Sequence, residues 1–178
     1  MIKMTTDFSS LNLREELVQA ITELGYSEPT PIQTTIIPIM LQGADVIGQA
    51  QTGTGKTAAF ALPILNSFSP QRHVQALVLA PTRELALQVA DSMTVYGKYL
   101  GVHVLAVYGG QPYGPQISRL NRGVDVVVGT PGRLLDLIER NALNIKHVRS
   151  LVLDEADEML NMGFMEDVEK ILAETPSE

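Results

Sequence analysis

Asp154-Glu155-Ala156-Asp157 sets three carboxylates directly after the apolar run Leu151-Val152-Leu153, where a buried strand would open onto solvent. Carboxylates at such an exit can hold a divalent cation, orient a water, or simply begin a helix. A second segment narrows the choice. Ala50-Gln51-Thr52-Gly53-Thr54-Gly55-Lys56-Thr57 follows a short apolar run at 45–48 and leads into the helix-forming Ala58-Ala59-Phe60-Ala61-Leu62. The glycines let backbone amides converge on phosphate oxygens, and the helix that follows offers its positive end to the same anion. Lys56 can reach the β- and γ-phosphates as a point charge, and the Thr57 hydroxyl can ligate magnesium. The strict phosphate-loop pattern asks for Gly six residues before the lysine, and Ala50 stands there instead. With that loop present, Asp154 is expected to hold magnesium through water, opposite Thr57 in the phosphate site. Glu155 is the expected general base, orienting and deprotonating a water that attacks the γ-phosphate, so the reaction is hydrolysis. Asp157 has two readings, a coupling group or a carboxylate that favours the first turn of a helix.

These groups need elements to hold them. Asn12-Leu13-Arg14-Glu15 has capping-box spacing, and Leu13, Leu17, Ala20, Ile21 and Leu24 fall on one helical face before Gly25. Thr30-Pro31-Ile32-Gln33 repeats the spacing with Pro at the first helical position and opens a second helix through about Met40. Strand-like runs then alternate with helical ones, at 45–48, 76–80, 102–107, 124–129 and 150–153. Val- and Leu-rich runs of this kind suit strands covered on both faces, so the expected fold is α/β: a doubly wound parallel sheet in one domain. Met159, Met162 and Met165 have the spacing of one helical face and read as core. His73, His103 and His147 show no ligand spacing and receive no role.

Composition bounds the function. A chain of 178 residues, 45% hydrophobic, is long enough for one substantial core. It contains no cysteine, which removes disulfides and thiolate metal sites and makes the cytoplasm the default location. Neither a signal peptide nor a membrane span is visible in the sequence. The net charge of −7 argues against a general electrostatic affinity for nucleic acid, so any such contact must be local.

The order and spacing of these segments resemble the DEAD-box family of RNA-dependent ATPases, across nearly the whole chain. Gly25-Tyr26-Ser27-Glu28-Pro29-Thr30-Pro31-Ile32-Gln33 looks like the adenine-reading Q motif, with Phe8 at the place of its upstream aromatic, so that this region covers 8–33. Residues 50–57 match the phosphate-loop motif, in which this family itself carries Ala first, and 154–157 match the namesake motif. The resemblance implies ATP and Mg2+, with Phe8, Tyr26, Thr30, Gln33 and residues Gln51 through Thr57 at the nucleotide. The Gln33 amide carries both a donor and an acceptor and can read the adenine edge; it can also complete the capping box with Thr30, alone or together with that role. Phe8 can stack on the base or serve as a hydrophobic staple. Three further segments look like the family's RNA-contacting motifs: Pro81-Thr82-Arg83, Gly109-Gly110 and Thr130-Pro131-Gly132-Arg133. Thr82 and Thr130 can offer hydroxyls and helix-start amides to phosphates, Arg83 and Arg133 supply charge, and the glycines let a backbone approach. The ordinary alternatives are helix caps, a turn, and an ion pair of Arg83 with Glu84 or Asp154. Such contacts would ignore base sequence.

The family resemblance also implies a RecA-like domain whose next strand carries a Ser-Ala-Thr motif, and a second RecA-like domain with an arginine finger. The sequence stops just short of that strand and reads as an amino-terminal domain of a longer protein. The missing strand would lie between the phosphate-loop strand and the Asp154 strand, leaving backbone groups unpaired. The expected function is the ATP-hydrolysing domain of an RNA helicase, binding ATP weakly and unwinding nothing alone. An ATP-dependent RNA clamp and a DNA helicase of related fold are the alternatives. Oligomeric state, the RNA and protein partners are left open.

Overall fold

The computed structural model describes residues 7–177, which form two compact units. One is helical and takes the chain up to Phe68 together with Ser92–Gly101. The other takes Ser69–Asp91 and the chain from Val102 onward, and contains the sheet. Among the described residues no helix is long and apolar enough to cross a membrane.

In the helical unit a short 3₁₀ turn (Phe8–Leu11) precedes α1 (Glu15–Glu23), α2 (Pro31–Leu41) and α3 (Lys56–Asn66). The α1 face read from the sequence is realised at Leu17, Ala20 and Ile21, each fully buried, whereas Leu24 lies beyond the helix and is exposed. The first capping box is not formed. Asn12 instead closes the 3₁₀ turn in the left-handed region (φ 59°), and Arg14 stands at the α1 N-cap, its backbone N–H donating to Asn66 Oδ1 at 2.7 Å. A tertiary bond thus takes the place of the local cap. The second capping box is present, with Pro31 at the first helical position. Gly25 (φ 82°) ends α1 in a Schellman arrangement, in which Tyr26 N–H donates to Ile21 O and Gly25 N–H to Thr22 O. Lys98 and Tyr99 both bind the Glu23 carboxylate, which these bonds pull down to about 2.

In the other unit β1 (Ala76–Leu79), β2 (Val104–Val107), β3 (Val126–Gly129) and β4 (Ser150–Leu153) pair in the order β2-β3-β1-β4, every pair parallel. The connections are α4 (Arg83–Tyr96), α5 (Tyr113–Arg122) and α6 (Pro131–Glu139), followed after β4 by α7 (Ala156–Asn161) and α8 (Met165–Glu174). This is the α/β sheet with flanking helices that the Val- and Leu-rich runs require. The two central strands are buried throughout, β2 alternates, and β4 is half-buried along its length, as an edge strand should be.

Two expectations fail here. Residues 45–48 form no strand and Ile47 is fully exposed, because a strand exists only against a ladder and this run has none. The methionine stripe also breaks. Gly163 (φ 81°) separates α7 from α8, so Met159 is core while Met162 is 44% exposed and Met165 is half-buried.

In the sheet unit a close approach falls at Gly129, where β3 meets β2 and α6. A Cβ built there would lie 2.6 Å from Val107 Cγ2 and 2.8 Å from both Leu134 Cγ and the Val107 carbonyl oxygen. The carbonyl is ladder backbone and cannot yield without breaking register. Gly129→Ala is therefore expected to destabilise the chain by about 1–3 kcal/mol, measured as a shift in urea midpoint at unchanged slope. An unchanged midpoint would contradict this packing.

Candidate functional site

The phosphate loop is built inside the helical unit. Gly53 and Gly55 both adopt φ 82°, a left-handed conformation that costs a residue with a Cβ roughly 1–2 kcal/mol. The Thr54 hydroxyl donates to Gln51 O at 2.6 Å and closes the loop on itself. Gly55 is the N-cap of α3, so Lys56 and Thr57 are its first two helical residues, and both are half-buried. First-turn amides have no intrahelical acceptor, and with the helix dipole they make this end a natural anion site. Gln51, Thr52 and Gly53 are exposed, leaving the loop open to a ligand.

Gly55 is constrained a second time, by Gln33. The Gln33 side chain is only 3% exposed; its Oε1 accepts from the Thr30 N–H at 2.9 Å and its Nε2 donates to the Gly55 carbonyl at 3.0 Å. Both ends of the amide that the family resemblance assigns to adenine are thus engaged within the protein. The capping-box reading is realised, together with a bond to the phosphate loop that the sequence did not reveal. Phe8 is 3% exposed and packs in the core of this unit, the structural reading of that ring. Tyr26 remains 43% exposed and is hydrogen-bonded to Tyr96, whose hydroxyl is pushed up to about 12, chiefly by burial.

In the sheet unit the remaining candidates gather at the carboxyl ends of the strands. Backbone bonds continue the ladders past the strand ends: Ala80 N–H to Gly129 O, Thr130 N–H to Val107 O, and Asp154 N–H to Leu79 O. They bring together Pro81-Thr82-Arg83, Gly109-Gly110, Thr130-Pro131-Gly132-Arg133 and Asp154-Glu155, the region where open α/β sheets collect ligands. Thr82 is a helix cap, its Oγ1 accepting from Leu85 N–H at 3.2 Å. Thr130 is the N-cap of α6 and makes no side-chain cap bond. The Arg83 guanidinium lies 4.8 Å from the centre of the Tyr108 ring. Asp154 is 3% exposed. Glu155, half-buried, adopts φ 53°, ψ 53°, a strained backbone for a side chain of its size at the N-cap of α7. Asp157 is exposed in the first turn of α7, where its charge complements the helix dipole.

Arg133 departs from its expected part. It is 8% exposed, and Nη1 donates to Gln111 O and Gln116 Oε1 while Nη2 donates to Gln111 O, all at 3.0 Å. It braces the loop after Gly109-Gly110 and directs its charge inward. The Tyr113 ring lies 4.1 Å from the guanidinium carbons of both Arg133 and Arg140, and its hydroxyl donates to Asp136. That bond, followed by the one from Arg140, holds the Asp136 carboxyl below its ordinary range. Tyr113, Arg133 and Asp136 wall a cleft of about 340 Å3 that also meets Gly109, Thr130 and Gly132. Sequence reasoning missed Tyr113, Gln116 and Asp136. The Asp136/Arg140 spacing on one helix was the only signal present.

Each unit carries a hard-oxygen side chain of the kind magnesium takes. Among the described residues no three His, Cys, Asp or Glu side chains cluster as a complete metal cage. In the helical unit Thr57 offers a hydroxyl in the first turn of α3, and in the sheet unit Asp154 offers a carboxylate at the exit of β4.

Residues 30–178 match the family model described as DEAD/DEAH box helicase. The chain is 55% identical over 178 residues to the ATP-dependent RNA helicase DeaD of Klebsiella pneumoniae, covering 99% of this chain and 28% of that protein. It is 51% identical to the DEAD-box ATP-dependent RNA helicase CshA of Bacillus subtilis, over 98% of this chain and 36% of that one. The crystal structure of a DEAD box protein from Methanococcus jannaschii superimposes with a TM-score of 0.92 at 45% identity, over 96% of this chain and 47% of that one. The chain thus spans about a third or less of the length of these curated relatives.

A Cβ at Gly55 would lie 2.3 Å from Gln33 Nε2 and 3.0 Å from Thr30 Oγ1, at a backbone φ that already disfavours it. Gly55→Ala should therefore destabilise the helical unit by about 1–3 kcal/mol. Adding Gln33→Ala should recover part of that stability, leaving the backbone share. Urea denaturation of both single variants and the double variant measures the coupling; strict additivity would contradict the contact.

Proposed function

The chain belongs to the DEAD/DEAH box helicase family, and from that premise we propose that it is the ATP-binding and ATP-hydrolysing domain of an RNA-dependent ATPase that separates or remodels RNA locally in the cytoplasm. The observation that carries this reading is the phosphate loop, with Gly53 and Gly55 in the left-handed region and Lys56 and Thr57 opening an eleven-residue helix. Its amides and Lys56 would bind the triphosphate, with Tyr26 and the Thr30–Gln33 turn beside the loop for the base. Thr57 and Asp154 are the residues proposed to hold magnesium, which when bound neutralises charge on the phosphate oxygens.

Glu155 would orient a water and take its proton as the oxygen attacks the γ-phosphorus and the bond to the bridging oxygen breaks. Its strained backbone at the end of β4 fixes where the carboxylate starts. RNA is proposed to lie across the loops that follow the strands. Thr82 and Thr130 with their helix-start amides would meet phosphates, Arg83 would add charge, and Gly109, Gly110, Pro131 and Gly132 would let the backbone approach. Arg133 acts in this scheme as a positioning residue for the Gln111 loop. Asp157 is proposed to couple the nucleotide to the second RecA-like domain.

An arginine finger contributes roughly a thousandfold or more to phosphoryl-transfer rates. The 178-residue chain supplies none in this reading, so its own turnover is expected to be slow. In a protein that joins it to a second RecA-like domain, Glu155→Gln should lower RNA-stimulated ATP hydrolysis by at least about a hundredfold, while ATP binding persists. Retained turnover would remove Glu155 from the chemistry. Unchanged turnover with prolonged RNA retention would favour a clamp.

A further inference from the structure

The amino-terminal ends of the same strands carry a charge pattern that the ATPase reading does not use. Because all strands run parallel, the residues entering them lie side by side: Asp125 N–H donates to His103 O, Gln75 N–H to Asp125 O, and Arg149 N–H to Gln75 O. Around this row stand Arg72, Arg122, Lys146 and Arg149, all exposed, and all three histidines of the protein. The His73 and His147 rings are in contact, 4.6 Å apart between centroids and tilted by 39°. That contact ties the segment before β1 to the segment before β4.

Segments 69–75, 119–124 and 142–149 contain no carboxylate side chain, in a protein that carries 20. The one acid in the row, Asp125, is 5% exposed and accepts from the His103 backbone N–H at 2.8 Å. Arg149 is oriented in advance. Its Nη2 donates to Gln75 Oε1 at 2.7 Å, and Gln75 Nε2 in turn donates to Ser69 O at 2.8 Å. None of the large hydrophobic side chains exposed among the described residues lies in these three segments.

We propose that this rim, formed by Arg72, Arg122, Lys146 and Arg149 around the His73–His147 pair, is a second, sequence-independent binding surface for the phosphate backbone of single-stranded RNA. A protein partner would be expected to use large apolar, Tyr or Trp anchors, and these three segments expose none. A nucleic-acid strand asks instead for spaced cations, a guanidinium held for phosphate, and flat rings on which bases can stack. The rim lies at the amino-terminal ends of the strands, away from the loops proposed to meet RNA at their carboxyl ends, so one strand of RNA running over the sheet unit, or a second strand, could be held there. The proposal extends the RNA reading given above and adds a site to it.

The test is fluorescence anisotropy of a labelled oligouridine with the 178-residue chain across a salt titration, comparing the native sequence with Arg72→Gln/Arg122→Gln/Lys146→Gln. The expected result is at least about a tenfold weaker affinity at low salt and a log–log salt slope shallower by about 2, or about 0.7 for each phosphate no longer neutralised. Magnesium-ATP affinity should be unchanged. Lys146→Glu alone, at an exposed site, gives a smaller shift in the same direction and covers the case in which the triple variant does not fold. Unaltered affinity and slope in the rim variants, with weakening by Thr130→Val, would overturn the rim while leaving the RNA reading intact. Rim-dependent binding of polyglutamate as tight as that of oligouridine would overturn it in favour of an acidic protein partner. Absence of RNA binding by the native chain would overturn both.

Discussion

The parallel register of the four strands is the constraint on which the sheet unit rests. Its hydrogen bonds make the two ends of the strands chemically different, since every loop that follows a strand emerges on one side and every segment that precedes a strand gathers on the other. Residues far apart in sequence, such as Thr82, Gly109, Thr130 and Asp154, become neighbours for no reason except strand direction. The close contact of Gly129 with Val107 and Leu134 fixes the β3–β2 register and leaves α6 one place to begin. A slip of one residue would turn the side chains of each strand over and scatter both ends.

Some of the positions to which chemistry is assigned have left-handed backbone. Gly53 and Gly55 have the left-handed conformation that a phosphate loop needs, and Glu155 adopts it in spite of its side chain. Strain of this size persists only where surrounding contacts over-determine it. At Gly55 the contacts are visible, because Gln33 occupies the space a Cβ would take and bonds the carbonyl. Gln33 therefore joins the start of α2 to the loop that opens α3. Reading of a base by that amide would require it to exchange these bonds for new ones.

The alternation of apolar runs with helical patterns made the α/β sheet legible, and glycine spacing made the phosphate loop legible, because each depends on local periodicity. What stayed hidden depends on partners distant in sequence. Residues 45–48 look like a strand by composition, yet strand formation is decided by a neighbour. Asn12 to Glu15 had the spacing of a cap, but Asn66 captured the Arg14 amide instead. Arg133 reads as a charge for RNA until Gln111 and Gln116 are seen to occupy its donors, and Tyr113 carries no local signal at all. The basic rim is invisible in a net charge of −7, since its members come from three separated segments.

The claim at the centre of this account is that the loop from Gln51 to Thr57 binds the triphosphate of ATP. Isothermal titration of magnesium-ATP into the chain, beside Lys56→Ala, tests it most directly. Saturable one-to-one binding that weakens by at least about tenfold in the variant, through removal of one charge-assisted hydrogen bond, is the predicted result. Equal binding by the two proteins, or none by the native chain, would contradict it.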